Sequence, residues 1–444
     1  MMKGEALVAS LSSSEQMFHL CCTMLLRHCK KAAFLLSLGI SIAGFLVIYI
    51  RTANHWEMPE AKSIPHKCRP FSSQCGTLLS RTAAQTTWHR QDCWNESYIL
   101  KKEVKCSVLK KDLHFITRPL SYMEEKYPLA FILTVHKELG VLLRLLRAIY
   151  MPQNIYCIHI DAKAPVKYQE AIQKMVSCFQ NIFISSRSES VTYAGFSRLQ
   201  ADLNCMDDLA KSKVRWRKVI NLCGQDFPIK TNLELVQHLQ RKKWREKNIT
   251  PGVKQPVRMR SRTELKYTEV EGSYVKCLGV KKSPPPHDIQ VYFGTAYYAV
   301  TREFVEFVLT SQKARDLLEW SRDTYSPDEH YWVTLNHLPE APGSYINGGW
   351  AGNVRAIKWS DQEGESHNGC NGHYVRSICV YGEGDLPWII NTDNMFANKF
   401  ESKTSPEALD CLEQWHRNKV LRGATVPIET SWLLATRRNI TATD

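Results

Sequence analysis

The chain is 444 residues long, with 44% hydrophobic and 23% charged residues and a formal net charge of +14. That composition is ordinary for globular proteins, and the length suits one large domain with appendages or two domains. The positive balance points to an acidic partner, whether nucleic acid, anionic lipid or a phosphorylated small molecule. No basic tract interleaved with glycines or aromatics stands out, which argues against nucleic acid, and scattered Lys and Arg also read as a solvated surface.

In chain order, the first feature is Ala32 to Ile50, 19 residues without a charge. At ~1.5 Å per residue they span roughly 28 Å, close to the hydrocarbon core of a bilayer. Arg27, Lys30 and Lys31 crowd its N-terminal side, and only Arg51 follows immediately. The positive-inside rule then makes 1–31 a cytoplasmic tail, 32–50 a transmembrane signal-anchor, and everything beyond it lumenal. A cleaved signal peptide is the competing reading; the long apolar run and the lack of a small-x-small site stand against it. Cys21, Cys22 and Cys29 precede the anchor, where thiols stay reduced and open to acylation. The other twelve of the 15 cysteines follow it at wide spacings without paired CxxC patterns, which in a lumen reads as a disulfide framework. Asn95, Asn248 and Asn439 each begin a glycosylation sequon on the lumenal side.

Residues 51–125 are polar and irregular and read as a stem with a cysteine-pinned lead-in, followed by a catalytic domain over 126–444. From Leu129 the pattern becomes regular. LAFILTVH predicts a buried strand, ELGVLLRLLRAIY a helix, NIYCIHID a strand, KYQEAIQKMVSCF a helix, NIFISS a strand, RLQADLNCMDDLAK a helix and WRKVINLC a strand. Strands alternating with helices predict an α/β fold with a mainly parallel sheet, whose ligands bind beyond the carboxyl ends of the strands. His159, Asp161, Cys223, Gln225 and Asp226 fall at such ends. Further on, VYFGTAYYAVT reads as a strand pair and REFVEFVLT as a helix. SPDEHYWVTLNHL reads as a helix start, with Ser326 as N-cap, Pro327 at N1 and Glu329 at N3.

Several catalytic signatures are missing: GxxxxGK[ST], GxSxG, HExxH and GxGxxG. So is Asp-x-Asp, a device by which nucleotide-sugar enzymes hold a divalent metal; Asp207 and Asp208 are adjacent on a predicted helix and read as surface charge. A sugar nucleotide would therefore need cationic side chains at its leaving diphosphate, and Arg376 and Lys399 are candidates, with ordinary surface charges as the plainer reading. Glu329 is a candidate base for a sugar hydroxyl, set against a capping-box partner for Ser326. Cys370 and Cys379 would, if bonded, hold Arg376 rigidly.

The stretches LLRAIYMPQNIYCIHID, YAGFSRLQADLNCM, NLCGQDFPIKTN, SPDEHYW, VRSICVYGEGDLPW and MFANKF together resemble the β-1,6-N-acetylglucosaminyltransferases that make core 2 and I-antigen branches, from about Cys106 to Cys411. The resemblance implies a GT-A-type (Rossmann-like) glycosyltransferase domain and an inverting, metal-independent transfer of GlcNAc from UDP-GlcNAc to a sugar 6-hydroxyl, with no cofactor. It assigns Glu329 as general base, Arg376 and Lys399 as the grip on the UDP diphosphate, Asp161 as a uridine-side contact and Trp359 as an aromatic near the acceptor. It also implies the disulfides Cys157–Cys205, Cys106–Cys178 and Cys370–Cys379, with Cys411 reaching back to the stem cysteine Cys68, and an unpaired Cys223. Cys75, Cys93 and Cys277 stay unplaced. The expected setting is a Golgi membrane, with a glycan acceptor on glycoprotein or glycolipid as partner; a Golgi homo-oligomer stays open.

This chain departs from the core 2 members in two stretches. KNITPGVKQPVRMRSRTELKY lacks their Arg-Trp pair, and GGWAGNVRAIKW reads more like the I-branching member, which argues against a core 2 acceptor and for a galactose-terminated or unfamiliar one. The acceptor class expected from the family is a Gal or GalNAc of O-glycans or poly-N-acetyllactosamine. Two other readings compete: a catalytically silent Golgi protein that keeps the fold and binds glycans or partners, and a related transferase moving a different sugar.

Overall fold

The computed structural model describes Cys75 and residues 95–101, 105–270, 272–404 and 406–434. The expected signal-anchor at 32–50, most of the stem and Asn439 lie outside the described residues, among which no helix is long and apolar enough to cross a membrane. The segment expected to be irregular up to residue 125 contains three short helices, Glu96–Leu100, Cys106–Asp112 and Tyr122–Glu125. Each is too short to show a helical period in sequence.

Four strands lie side by side and parallel: β1 (Leu129–Val135), β2 (Ile155–Ile160), β3 (Ile182–Ile184) and β4 (Lys218–Cys223). They are nearly all buried because helices cover both faces. Alternate residues of β1 feed opposite cores. Leu129, Phe131 and Leu133 pack with the helix Leu139–Ile149, while Ala130 and Ile132 pack with Leu199 and Leu203 of the helix Phe196–Ala210. The chain steps outward from β1 through β2 to β3, and β4 then returns to the other side of β1. The carboxyl ends of β1 and β4 therefore flank a topological switch point, where such sheets open a crevice.

The strands after β4 form the rest of the fold. β5 (Asp226–Pro228) leaves the sheet at once, β6 (Gly252–Lys254) comes next, and β7 (Leu265–Val270) and β8 (Tyr274–Lys281) form an antiparallel hairpin. β9 (Tyr292–Gly294) pairs with β6, and β10 (Ala299–Thr301) runs antiparallel to β4, completing the order β10-β4-β1-β2-β3. β11 (Arg355–Ala356) belongs to a second sheet, β12 (His373–Val375) and β13 (Ile378–Val380) form another hairpin, and β14 (Phe396–Asn398) runs between β11 and β5.

Disulfides join Cys106 to Cys178, Cys157 to Cys205 and Cys370 to Cys379. The expected Cys68–Cys411 bond is corrected: Cys411 is bonded to Cys75, and both sit in the core beneath the second sheet. Cys223 and Cys277 are free thiols. The expected glycan at Asn248 is corrected as well. That side chain is fully buried, donates to Asn336 Oδ1 (3.0 Å) and the Pro342 carbonyl (2.8 Å), and accepts from the Thr301 amide (3.0 Å). A sequon read from three letters carries no information on burial. Asn95 is half-buried and caps the helix Glu96–Leu100 by accepting from the Tyr98 amide (3.1 Å).

The C-terminal helix Pro406–Arg422 locks onto the helix Leu139–Ile149 through a buried charge cluster. Glu413 accepts from Arg147 Nε at 2.6 Å and Nη2 at 2.7 Å, and from Arg144 Nη1 at 2.9 Å, while Arg144 also meets Asp410 at 2.5 Å. Burial alone would raise the Glu413 carboxyl, but Arg147 and Arg144 outweigh it and hold it below the ordinary carboxylate range. Glu413→Ala is expected to cost about 3–5 kcal/mol, because the buried Arg147 loses this carboxylate. Denaturant unfolding would measure this. The depressed carboxyl stabilises the fold above its unfolded pKa, so the difference from wild type should shrink as pH falls through the acid range.

Candidate active site

Glu329 lies on a turn beside the crevice. Ser326 sits in the left-handed region (φ 47°) and makes no side-chain cap, Pro327–Glu329 form one 3-10 turn, and the α-helix begins only at Tyr331. The capping-box reading is therefore wrong: the Glu329 carboxylate is ion-paired to Arg262 instead. The turn is pinned because the Ser326 amide donates to the Ala194 carbonyl (2.8 Å) and the Tyr325 amide to the Arg262 carbonyl (2.9 Å). Arg262 lies 5.3 Å from the Phe293 ring and 5.2 Å from the Tyr325 ring, which holds its guanidinium in place. The Glu329 side chain keeps 31% exposure, enough to meet a ligand. Burial pushes its carboxyl up and Arg262 draws it partly back.

Arg376 stands at the tip of the β12–β13 hairpin. Arg376 and Ser377 both have positive φ (53° and 64°), the backbone of a tight two-residue hairpin turn. The Cys370–Cys379 bond staples its base, and Asp385 braces it by accepting from Lys358 Nζ (2.6 Å) and the amides of Gly382 (2.9 Å) and Asn371 (3.1 Å). The guanidinium lies 3.8 Å from the ring centroid of Tyr193. Lys399 follows β14 after a cis peptide bond and is tied to the same hairpin: the Tyr381 amide donates to its carbonyl (3.0 Å) and its Nζ to the Val375 carbonyl (3.4 Å). Burial lowers the Lys399 ammonium, with Glu401 opposing and Arg376 adding to the shift.

Asp161 closes the far end. It ends β2, its amide donates to the Val135 carbonyl at the end of β1 (2.9 Å), and its carboxylate accepts from the Lys163 amide (2.9 Å). His136 follows β1, and burial, with Lys137, pushes its imidazole below the ordinary value while Asp161 opposes. Tyr193 links the two sides of the site: the Arg376 guanidinium stacks on its ring, and Glu329 and Arg376 act on its hydroxyl in opposite directions. Trp359 stands on the outer side of the hairpin, bridged to Ile378, with its carbonyl 2.8 Å from His367 Nε2. None of those bonds reaches the Glu329 turn.

The other strand-end residues are structural. Asp226 is buried against Arg355 (3.1 Å), and burial pushes the Cys223 thiol up to about 12, which leaves it inert. His159 is buried and accepts from the Glu189 amide (2.9 Å). Asp207 pairs with Arg187 (3.2 Å) and Lys211 (2.9 Å), consistent with surface charge. Arg262 and Tyr193 escaped sequence reasoning. Arg262 is one of three closely spaced arginines with Arg258 and Arg260, and no local signal separates them.

The Core-2/I-Branching enzyme profile matches residues 129–390, which carry β1 through the Cys370–Cys379 hairpin, Glu329 and Arg376. The chain belongs to the Core-2/I-Branching enzyme family. It is 57% identical over 404 residues to a human protein named probable beta-1,3-galactosyl-O-glycosyl-glycoprotein beta-1,6-N-acetylglucosaminyltransferase 7, covering 88% of this chain and 93% of that one. It is 45% identical to human N-acetyllactosaminide beta-1,6-N-acetylglucosaminyl-transferase over 91% of this chain and 98% of that one. A further human beta-1,3-galactosyl-O-glycosyl-glycoprotein beta-1,6-N-acetylglucosaminyltransferase is 41% identical over 74% and 78%.

Asp328, beside Glu329, is itself buried. Burial pushes its carboxyl up to about 7 against the pull of Arg198, with Glu329 and Asp202 adding. A carboxyl that holds its proton more tightly folded than unfolded costs stability as pH rises from about 4 to about 7. Asp328→Asn, which does not titrate, should therefore gain in thermal stability relative to wild type as pH is raised across that window. A difference independent of pH would refute the assignment.

Proposed function

We propose that this enzyme is an inverting β-1,6-N-acetylglucosaminyltransferase of GT-A type, moving GlcNAc from UDP-GlcNAc to the 6-hydroxyl of a galactose or GalNAc on a glycoprotein glycan. The observation that carries the reading is Glu329, partly open to solvent and acting on Tyr193, the same ring on which Arg376 of the hairpin tip stacks (3.8 Å), with Lys399 tied to that hairpin. A base and two cations are what an in-line displacement at an anomeric carbon requires. Glu329 takes the proton of the acceptor O6 as that oxygen attacks; the bond to the diphosphate breaks on the opposite face, and its charge is met by Arg376 and Lys399. One carboxylate suffices, because a diphosphate leaves without protonation, unlike the leaving groups of glycosidases. Asp161 and His136 line the base end of the nucleotide, at the switch point where such sheets take nucleotides.

With two cations at the diphosphate, this reading needs no divalent metal. The setting is the Golgi lumen, the enzyme held by the 32–50 anchor as a single-pass type II membrane protein. The disulfides of the described domain support an oxidising compartment. Arg262 belongs to the segment that departs from the core 2 members, and it positions the base, so this segment meets the acceptor beside Glu329.

Transfer of labelled GlcNAc from UDP-GlcNAc in EDTA, across galactose- and GalNAc-terminated acceptors, tests the reaction. A β-1,6-linked product should form, and Glu329→Gln should lower kcat by about 10²–10⁴-fold. Absence of product with every acceptor while UDP still binds would sink the reading. Removing the Arg262 charge should let burial raise the Glu329 carboxyl further. The acid limb of the kcat/KM profile of Arg262→Met should then lie at higher pH than that of wild type, with a raised KM for acceptor.

A further inference from the structure

The end of the sheet opposite Glu329 carries a site the transfer reaction does not use. β4 ends at Cys223 beside the crevice and begins at Lys218, roughly 17 Å away along the strand. Just before Lys218, the loop Ser212–Arg217 borders a pocket of about 360 Å³ lined by Lys213, Arg215, Arg217, Arg302, Trp216 and Glu303, with Ser212 at its rim. Four of those side chains are cations and one is a carboxylate. Lys213, Arg215 and Arg217 are exposed and take part in no ion pair among the described residues, whereas Arg302 pairs with Glu306 (3.2 Å).

The wall is rigid. Trp216 is buried and donates to the Leu209 carbonyl (3.1 Å); Arg302 lies 5.3 Å from its ring and donates to the carbonyls of Ala210 (3.0 Å) and Val214 (3.2 Å). A second basic segment, Arg241 to Lys247, lies next to it, since Lys218 Nζ donates to the Lys247 carbonyl (2.6 Å). Arg217 and Arg245 both act on Tyr127, with Glu246 and Glu303 opposing them, which places the two segments side by side. The cations outnumber the carboxylates Glu303 and Glu306 beside them, and such a surplus makes a positive potential that a polyanion neutralises. In an oxidising lumen nucleic acid is absent, and the strongly negative membrane leaflet is the cytoplasmic one. The remaining polyanions there are glycans bearing sulfate and carboxylate groups.

We propose that this pocket, with the Arg241–Lys247 segment, binds an acidic glycan chain through its sulfate or carboxylate groups, at a second site separate from the catalytic crevice. The inference rests on the lumenal setting proposed above. Such a site holds an acidic glycoprotein against the enzyme while its branching point is presented elsewhere.

The test is titration of the protein with a labelled heparin-derived oligosaccharide at two salt concentrations. Wild type should bind, more weakly at high salt, and Lys213→Ser/Arg215→Ser/Arg217→Ser should bind roughly 10–100-fold more weakly. GlcNAc transfer to a small neutral acceptor should be unchanged in that variant, which separates failure of the pocket from failure of the proposed reaction. Lys105→Ser/Lys111→Ser/Lys167→Ser removes the same charge from exposed positions elsewhere and should bind like wild type. Equal loss in this control, no binding by wild type, or wild-type binding to phosphatidylserine–phosphatidylcholine vesicles without binding to the oligosaccharide would each overturn the proposal.

Discussion

Asp202 is a carboxylate sealed inside the fold, at the back of the crevice, and it gathers four elements. It accepts from Arg198 one helical turn earlier (2.6 Å), from Asn221 of β4 (3.0 Å), from Tyr298 at the start of β10 (3.2 Å) and from Thr134 of β1 (3.4 Å). A buried charge is tolerated only when its lone pairs are met with good geometry, so these partners have little freedom to shift. Asn221 in turn donates to the Ala296 carbonyl (2.8 Å) and accepts from the Tyr298 amide (2.9 Å), which sets where the chain re-enters the sheet as β10. The same Arg198 acts on Asp328, the neighbour of Glu329. The switch point between β1 and β4 and the turn that carries Glu329 are thereby held by one network.

On the other side of the crevice, rigidity comes from covalent and hydrogen-bonded bracing. Arg376 occupies a left-handed position that most residues avoid, and the Cys370–Cys379 bond and the buried Lys358–Asp385 pair at the base of its hairpin keep it there. Lys399 is tied to that hairpin through its backbone, so the two cations move as one body. Their mutual repulsion and the burial of Lys399 both disfavour charge there. An anionic ligand between them relieves that cost, as preorganised electrostatic sites do. Opposite them, Glu329 is balanced between burial, which favours its neutral form, and Arg262, which favours its charged form. The Glu329 carboxylate is thus tuned by a residue 67 positions away in the chain.

Much of this was legible in the chain before any coordinates. The alternating strand and helix periods from Leu129 to Cys223 read correctly because β1, β2 and β4 are buried on both faces and the helices between them are amphipathic, so local pattern and tertiary environment agree. Motif blocks brought Glu329, Arg376, Lys399 and Asp161 forward as candidates, and three cysteine pairs came from the same blocks. The features that stayed hidden depend on contacts far apart in sequence. Ser326–Glu329 carries the letters of a capping box, yet the left-handed Ser326 and Arg262, 67 positions away from Glu329, redirect the carboxylate. Asn248 carries the letters of a glycosylation site, yet Asn336 and Thr301 enclose it. Cys411 had more than one stem cysteine to choose from, and the core beneath the second sheet selects Cys75.

The sequence by itself thus determined the sheet, the family and the chemical types available to the reaction, because periodicity and contiguous motifs are written in neighbouring residues. Only the tertiary structure decided which carboxylate is held beside which arginine, which sequon is sealed, and which cations gather at the far end of β4. Those properties arise from pairings across hundreds of residues and from burial, and neither has a local signature.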